Sequence, residues 1–181
     1  MRVIAGKYGG RPIRTPKGLA VRPTTDRTRE ALFNILNNYV EWEKLSVLEL
    51  FCGTAAVSLE FISRGVSQLV CVDQNGRCVK AAKKLFSDFG VKEAKVQQMK
   101  AEIFVKKSTK RFDLIFMDPP YAMEGQPLLL ARIFDRQLLC EGGMLILEHE
   151  SQQQFEEIPY FDFSRKYGNS SLSFFIFHKN K

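Results

Sequence analysis

Between residues 26 and 40 the apolar side chains of "DRTREALFNILNNYV" fall at Ala31, Leu32, Ile35, Leu36 and Tyr39. That spacing predicts a helix with one buried face, capped by Thr25 or Asp26. Beyond residue 44 the pattern changes. Short apolar runs alternate with helical stretches: "SVLELF" then "AAVSLEFISRG" closed by Gly65, "SQLVCVD" then "GRCVKAAKKLFSDFG" ending at Gly90. The alternation continues with "AKVQQMK" and "AEIFVKKS", "FDLIFMD" and "QPLLLARIFDRQLL", and the strand "GGMLILEHE". Strand-helix alternation predicts a mostly parallel α/β sheet covered on both faces. The last segment, "YFDFSRKYGNSSLSFFIFH", reads as an antiparallel hairpin turning at Gly168-Asn169. Ahead of the helix, "RVIAGKYGGRPIRT" reads as two short strands around Lys7–Gly10, followed by a proline-rich connector. The expected organisation is therefore a small hairpin-helix extension, residues 1–44, before an α/β domain, residues 45–181.

The chain has 181 residues, 45% of them hydrophobic, enough for a sizeable core without staples. No stretch approaches the roughly 20 apolar residues of a membrane span, and "MRVIAGKYGGRPIR" lacks the apolar run of a signal peptide. Cys52, Cys71, Cys78 and Cys140 form no C-x-x-C pair, which points to free thiols and a cytoplasmic chain. The net charge of +7 is unevenly placed: residues 1–30 hold eight basic side chains against Asp26 and Glu30, a balance of +6. Concentrated positive charge favours a polyanion. Arg27 and Arg29 lie in the first turn of their helix, where the dipole opposes them, so they point to a role beyond local stability.

Chemistry is signalled at two strand ends. In "VLELFCGTAAVSLE" (residues 47–60) a glycine turn joins the first buried strand to its helix, where a doubly wound sheet binds nucleotide-like ligands. Gly53 permits the sharp turn. Asp73, 20 residues later, ends the next strand and suits two ribose hydroxyls. Glu49 can attract a cationic amino group. A dinucleotide fingerprint would need glycines where Ala55 and Ser58 stand.

The second signal is "FDLIFMDPPY" (residues 112–121). Neither proline donates a backbone hydrogen bond, so the strand leaves its sheet in a stiff turn. Asp118 and the Pro119 carbonyl can both accept from an NH2 group on a planar ring, holding its lone pair toward an electrophile. Tyr121 offers a stacking face for the base, which must be splayed or flipped to reach it. His149 and His178 are isolated, and no ligand cluster calls for a metal.

These residues carry a resemblance. "RVIAGKYGGRPI", "LAVRPTTDRTREALFNIL" (residues 19–36), "VLELFCGTAAVSLEFISRG" and "FDLIFMDPPY" resemble the class I S-adenosylmethionine-dependent methyltransferases. More closely, they resemble the RsmD-type enzymes that methylate guanine N2 in 16S ribosomal RNA. The resemblance runs almost end to end and implies a Rossmann-like sheet. It implies cofactor contacts at Glu49, Phe51, Gly53, Thr54 and Ala55, the ribose at Asp73 and Gln74, and adenine near Lys100 and Ala101. It places the target guanine at Asp118, Pro119, Pro120 and Tyr121, with Asp118 close to the methyl donor. RNA contacts fall to Arg2, Lys7, Arg11, Arg22, Thr24, Arg27 and Arg29. The implied partner is ribosomal RNA, within a partly assembled small subunit, bound by a monomer. Three places depart from the family pattern: Glu49 stands for the usual Asp, Ala55 and Ser58 for later glycines, and Lys100 for an acid or amide. A DNA adenine-N6 or protein glutamine-N5 methyltransferase, and a non-catalytic RNA-binding assembly factor, remain the alternatives.

Overall fold

A computed structural model describes residues 1–14 and 26–178. Its strands are β1 (Ser46–Leu50), β2 (Gln68–Asp73), β3 (Ala94–Gln98), β4 (Phe112–Met117), β5 (Leu139–Glu150), β6 (Phe161–Tyr167) and β7 (Ser170–Ile176). They form one sheet in the order β3-β2-β1-β4-β5-β7-β6. The first five strands are parallel, and β7 runs antiparallel between β5 and β6. The helices are α1 (Asp26–Leu36), α2 (Ala56–Ser63), α3 (Gly76–Phe89), α4 (Ala101–Lys107) and α5 (Gln126–Asp135).

Strand side chains alternate between faces, so each buried strand feeds two cores. Val47, Leu69, Leu114 and Ile146 join α1, α2 and α3 in one apolar cluster. Their neighbours Leu48, Val70, Ile115 and Leu145 join α4 and α5 in the other. Double coverage explains why these strands read as continuous apolar runs.

Three expectations shift. The N-terminal hairpin has a single bridge, Arg2 to Pro12, and residues Gly6–Tyr8 make a 3-10 turn instead of regular strands. Gly6 has φ +80, and a Cβ there would lie 2.0 Å from the Ser63 carbonyl. The glycine lets this segment lie directly on the end of α2, where Tyr8 N–H also donates to Ser63 Oγ. Helix α1 stops at Leu36, before the two asparagines of Asn37-Asn38. Strand β5 starts at Leu139 instead of Gly142, with a register shift against β4. Val3, Tyr8 and Ile13 share the α1–α3 apolar cluster with Val47 and Phe61. No helix among the described residues is long and apolar enough to cross a membrane.

Candidate active site

The strand order reverses direction between β1 and β4: β2 and β3 follow on one side, β5 on the other. At such a switch point the loops leaving two adjacent strands diverge and open a crevice. Leu50 and Met117 are register partners at the ends of β1 and β4. The Phe51–Ala55 turn and the Asp118–Tyr121 turn therefore emerge side by side, although distant in sequence. Together with the end of β2 they enclose a cavity of about 490 Å³, lined by Glu49, Phe51, Gly53, Thr54, Asp73, Gln74 and all four residues Asp118–Tyr121. A second space of about 280 Å³ adjoins it, sharing Phe51, Asp73, Gln74 and Pro120.

The first turn is tight because alternate residues are left-handed: Phe51 at φ 61, Gly53 at φ 52 and Ala55 at φ 61. Only glycine adopts this region freely, and each other residue costs about 1–2 kcal/mol. Ala55 thus occupies a glycine-type conformation, fully buried, and precedes α2. The Asp73 carboxylate locks the turn to the end of β2. Its Oδ2 accepts from Gly53 N–H and its Oδ1 from Asn75 N–H, both at 2.8 Å. Each oxygen retains acceptor capacity for a ligand hydroxyl.

Glu49 is buried beneath this turn, 3% exposed. Ser58 Oγ donates to its Oε2 and lies 3.0 Å from Cys71 Sγ. Burial, and then the nearby Asp73 charge, push its carboxyl up to about 8, against the opposing Ser58 hydrogen bond. The two departures Glu49 and Ser58 are therefore one structural unit: the longer acid reaches a hydroxyl where a glycine would offer none.

At the other wall Tyr121 Oη lies 2.9 Å from Ser170 Oγ, which donates to Glu148 Oε1 at 3.3 Å. Ser170 and Glu148 are buried on β7 and β5. Tyr121 is thus tethered to the C-terminal hairpin, a contact across 49 residues that no local pattern announces.

Two expected residues lie elsewhere. Lys100 is exposed as the residue capping α4, and the adjoining space is lined there by Met99, Ala101 and Glu102. An acid, Glu102, lines that space two residues later, on the first turn of α4. Arg29 is buried, 1% exposed, with its Nε 3.4 Å from Glu60 Oε1 and its Nη2 donating to the Arg2 carbonyl at 2.7 Å. It shares a helix face with Leu32, Phe33 and Leu36, at i+3, i+4 and i+7, so it faces the core instead of solvent. Arg2, Lys7, Arg11 and Arg27 are exposed. The Arg11 guanidinium sits 4.0 Å from the Phe89 ring centre. Arg22 and Thr24 lie outside the described residues.

His149 is buried, with Nδ1 2.8 Å from the Glu150 carbonyl and Nε2 2.7 Å from Ser173 Oγ. Its burial lowers the ring's pKa. A carbonyl only accepts, so Nδ1 carries the proton and Nε2 accepts from Ser173, a structural arrangement.

The family model described as Conserved hypothetical protein 95 matches residues 1–176. YlbH of Bacillus subtilis, named as a candidate rRNA methyltransferase, is 32% identical over 161 residues, 87% of this chain and 86% of that one. Ribosomal RNA small subunit methyltransferase D of Escherichia coli K12 is 25% identical over 159 residues, 88% of this chain and 79% of that one. A solved Escherichia coli structure, the candidate methyltransferase yhhF, superposes with a TM-score of 0.88 at 21% identity, covering 99% of each chain, and shares the fold. The chain belongs to the family described as Conserved hypothetical protein 95, that of the RsmD-type rRNA methyltransferases.

Proposed function

We propose that the protein transfers a methyl group from S-adenosylmethionine to the exocyclic N2 amine of a guanine in 16S ribosomal RNA. The observation that carries this reading is the single crevice joining the Gly53–Asp73 turns to the Asp118–Tyr121 turn. Its donor set fits the cofactor. Asp73 suits the ribose hydroxyls, Glu49 a cationic amino group, and Phe51, Met99 and Ala101 an apolar adenine slot with Glu102 at its edge. When bound, the cofactor supplies a methyl group already activated by its sulfonium. The protein's own task is positioning. Asp118 and the Pro119 carbonyl accept hydrogen bonds from the two amine N–H groups and stabilise the positive charge that develops on nitrogen until one of those protons is released. Tyr121 stacks the flipped base, and the two prolines keep that wall stiff before substrate arrives. Arg2, Lys7, Arg11, Arg22, Thr24 and Arg27 would grip RNA from residues 1–44, while residues 45–181 carry the transfer. A partly assembled subunit would supply the remaining grip.

The test is methyl transfer from labelled S-adenosylmethionine to small-subunit RNA and to partly assembled particles, followed by nucleoside mass spectrometry. N2-methylguanosine is expected. N6-methyladenine in DNA, or methylated glutamine in protein, would overturn the substrate assignment. Failure to bind S-adenosylmethionine at millimolar concentration in calorimetry would overturn the enzyme reading.

A further inference from the structure

The chain's positive charge has a second centre. Residues 94–111 carry six basic side chains against Glu102 alone, a balance of +5, whereas residues 31–93 and 112–181 together carry 13 basic and 17 acidic ones. The fold gathers this segment on the β3 edge of the sheet. There a depression of about 260 Å³ is lined by Lys95, Lys107 and Lys110, with Gln97, Ser108 and Thr109 supplying polar groups and no carboxylate among the lining residues. The three lysines are exposed and form no ion pair with another described residue. Ser108 Oγ accepts from Lys110 N–H, which leaves its hydroxyl proton to donate outward.

Local needs explain these lysines only singly. A cation at the end of α4 complements the helix dipole, which accounts for Lys107. A lysine on an edge strand discourages aggregation, which accounts for Lys95. Lys110 lies beyond the helix and serves neither purpose. Convergence of all three on one concavity without acids is what a chain of phosphates requires. Helix α4 links this depression to the crevice. Its first residues, Ala101 and Glu102, line the adjoining cavity, and its seven residues span only about 10 Å.

We infer that the Lys95–Lys107–Lys110 depression is a second RNA-backbone contact, separate from the basic N-terminal segment, that holds phosphodiesters of the substrate. The inference rests on the proposed RNA substrate and adds a surface to it. An RNA held at both flanks would approach the crevice in one orientation, so these lysines act on affinity and presentation and not on the transfer step.

The experiment compares wild-type protein with the triple variant Lys95→Gln, Lys107→Gln, Lys110→Gln. Anisotropy with a labelled fragment of small-subunit ribosomal RNA is followed across a salt series. Each phosphate contact contributes about 0.7–0.9 to the slope of log affinity against log salt, or about five- to eightfold near 0.1 M salt. The triple variant is expected to bind roughly one hundred- to five hundredfold more weakly near 0.1 M salt, with a slope shallower by about 2 to 3. Its melting temperature, cofactor affinity and kcat at saturating RNA should stay unchanged while KM rises. An unchanged slope and affinity in the variant overturn the lysine site. An equal loss of cofactor affinity also overturns it, because the lysines would then be supporting the fold. Unchanged binding to naked RNA with lost binding to a subunit particle overturns the RNA assignment in favour of a protein contact. Wild-type protein that binds neither this RNA nor a partly assembled subunit particle overturns the proposed function itself, an outcome the variant comparison cannot mimic.

Discussion

Replacing Glu49 by glutamine tests the electrostatics of the crevice with a change of one heavy atom. In the unfolded chain a glutamate titrates at 4.5, and in the fold this one is pushed up to about 8 by burial. Between those values the native state keeps a proton that the unfolded state has released. The wild-type protein therefore loses stability from this group as pH rises, by about 1.4 kcal/mol per unit and at most about 5 kcal/mol across the window. The contribution is fully present below pH 4.5 and gone once pH passes about 8. The amide of the Glu49→Gln variant cannot ionise and still offers an oxygen to Ser58. Urea unfolding of both proteins between about pH 5 and 9 should give nearly equal midpoints at the acid end. The variant should then gain steadily on the wild type and level off above about pH 8. A difference that stays constant across the range would mean that Glu49 is already ionised at neutral pH, and would refute the desolvation argument. The same proton carries a functional signature if the crevice takes a cationic amino group, as proposed above. Binding of S-adenosylmethionine near neutral pH should then release close to one proton, measurable by calorimetry in buffers of different ionisation enthalpy. The Glu49→Gln variant should release none.

Asp118→Ala should abolish methyl transfer while leaving a folded protein with a near-normal melting curve; near-normal turnover would mean the reacting amine is held elsewhere. Arg29→Ala should destabilise by roughly 3 kcal/mol in urea, since it strips the buried Glu60 of a cationic partner and leaves it to Arg64. Arg27→Ala, on the exposed face of the same turn, should leave unfolding unchanged and weaken RNA binding; equal midpoints for the two variants would show that Arg29 is not structural. Ser170→Ala and Tyr121→Phe should each lower kcat/KM by several-fold, and the double variant should lose little more, because each breaks the same Tyr121–Ser170 hydrogen bond. Ser170→Thr should restore most of the activity. Strictly additive losses would show that the tether does not orient the ring.

Much of this protein is legible one residue at a time. The period of its apolar positions announces five parallel strands, their covering helices and the closing hairpin, because burial on two faces leaves an unmistakable run such as Phe112–Met117. Gly53, Asp73 and Asp118–Tyr121 declare themselves because backbone freedom, a terminal carboxylate and a double proline are local properties of single residues. Weak edges are less legible. The N-terminal segment is shaped by Gly6 lying on Ser63, and its two expected strands reduce to one bridge.

Only the tertiary structure decides which charges face water and which residues meet. Arg29 and Arg27 look alike in sequence, yet one helical turn directs the first onto Glu60 and leaves the second in solvent. Lys100 stays exposed while Glu102 lines the cavity, because α4 begins between them. Tyr121 finds Ser170 and Glu148 through the antiparallel insertion of β7 beside β5, and Lys95 meets Lys107 and Lys110 by the crossover from β3 to α4. Periodicity is written in the chain because it needs only neighbours. Burial of a charge, and the company it keeps there, depends on residues tens of positions away, and that information exists only once the sheet has closed.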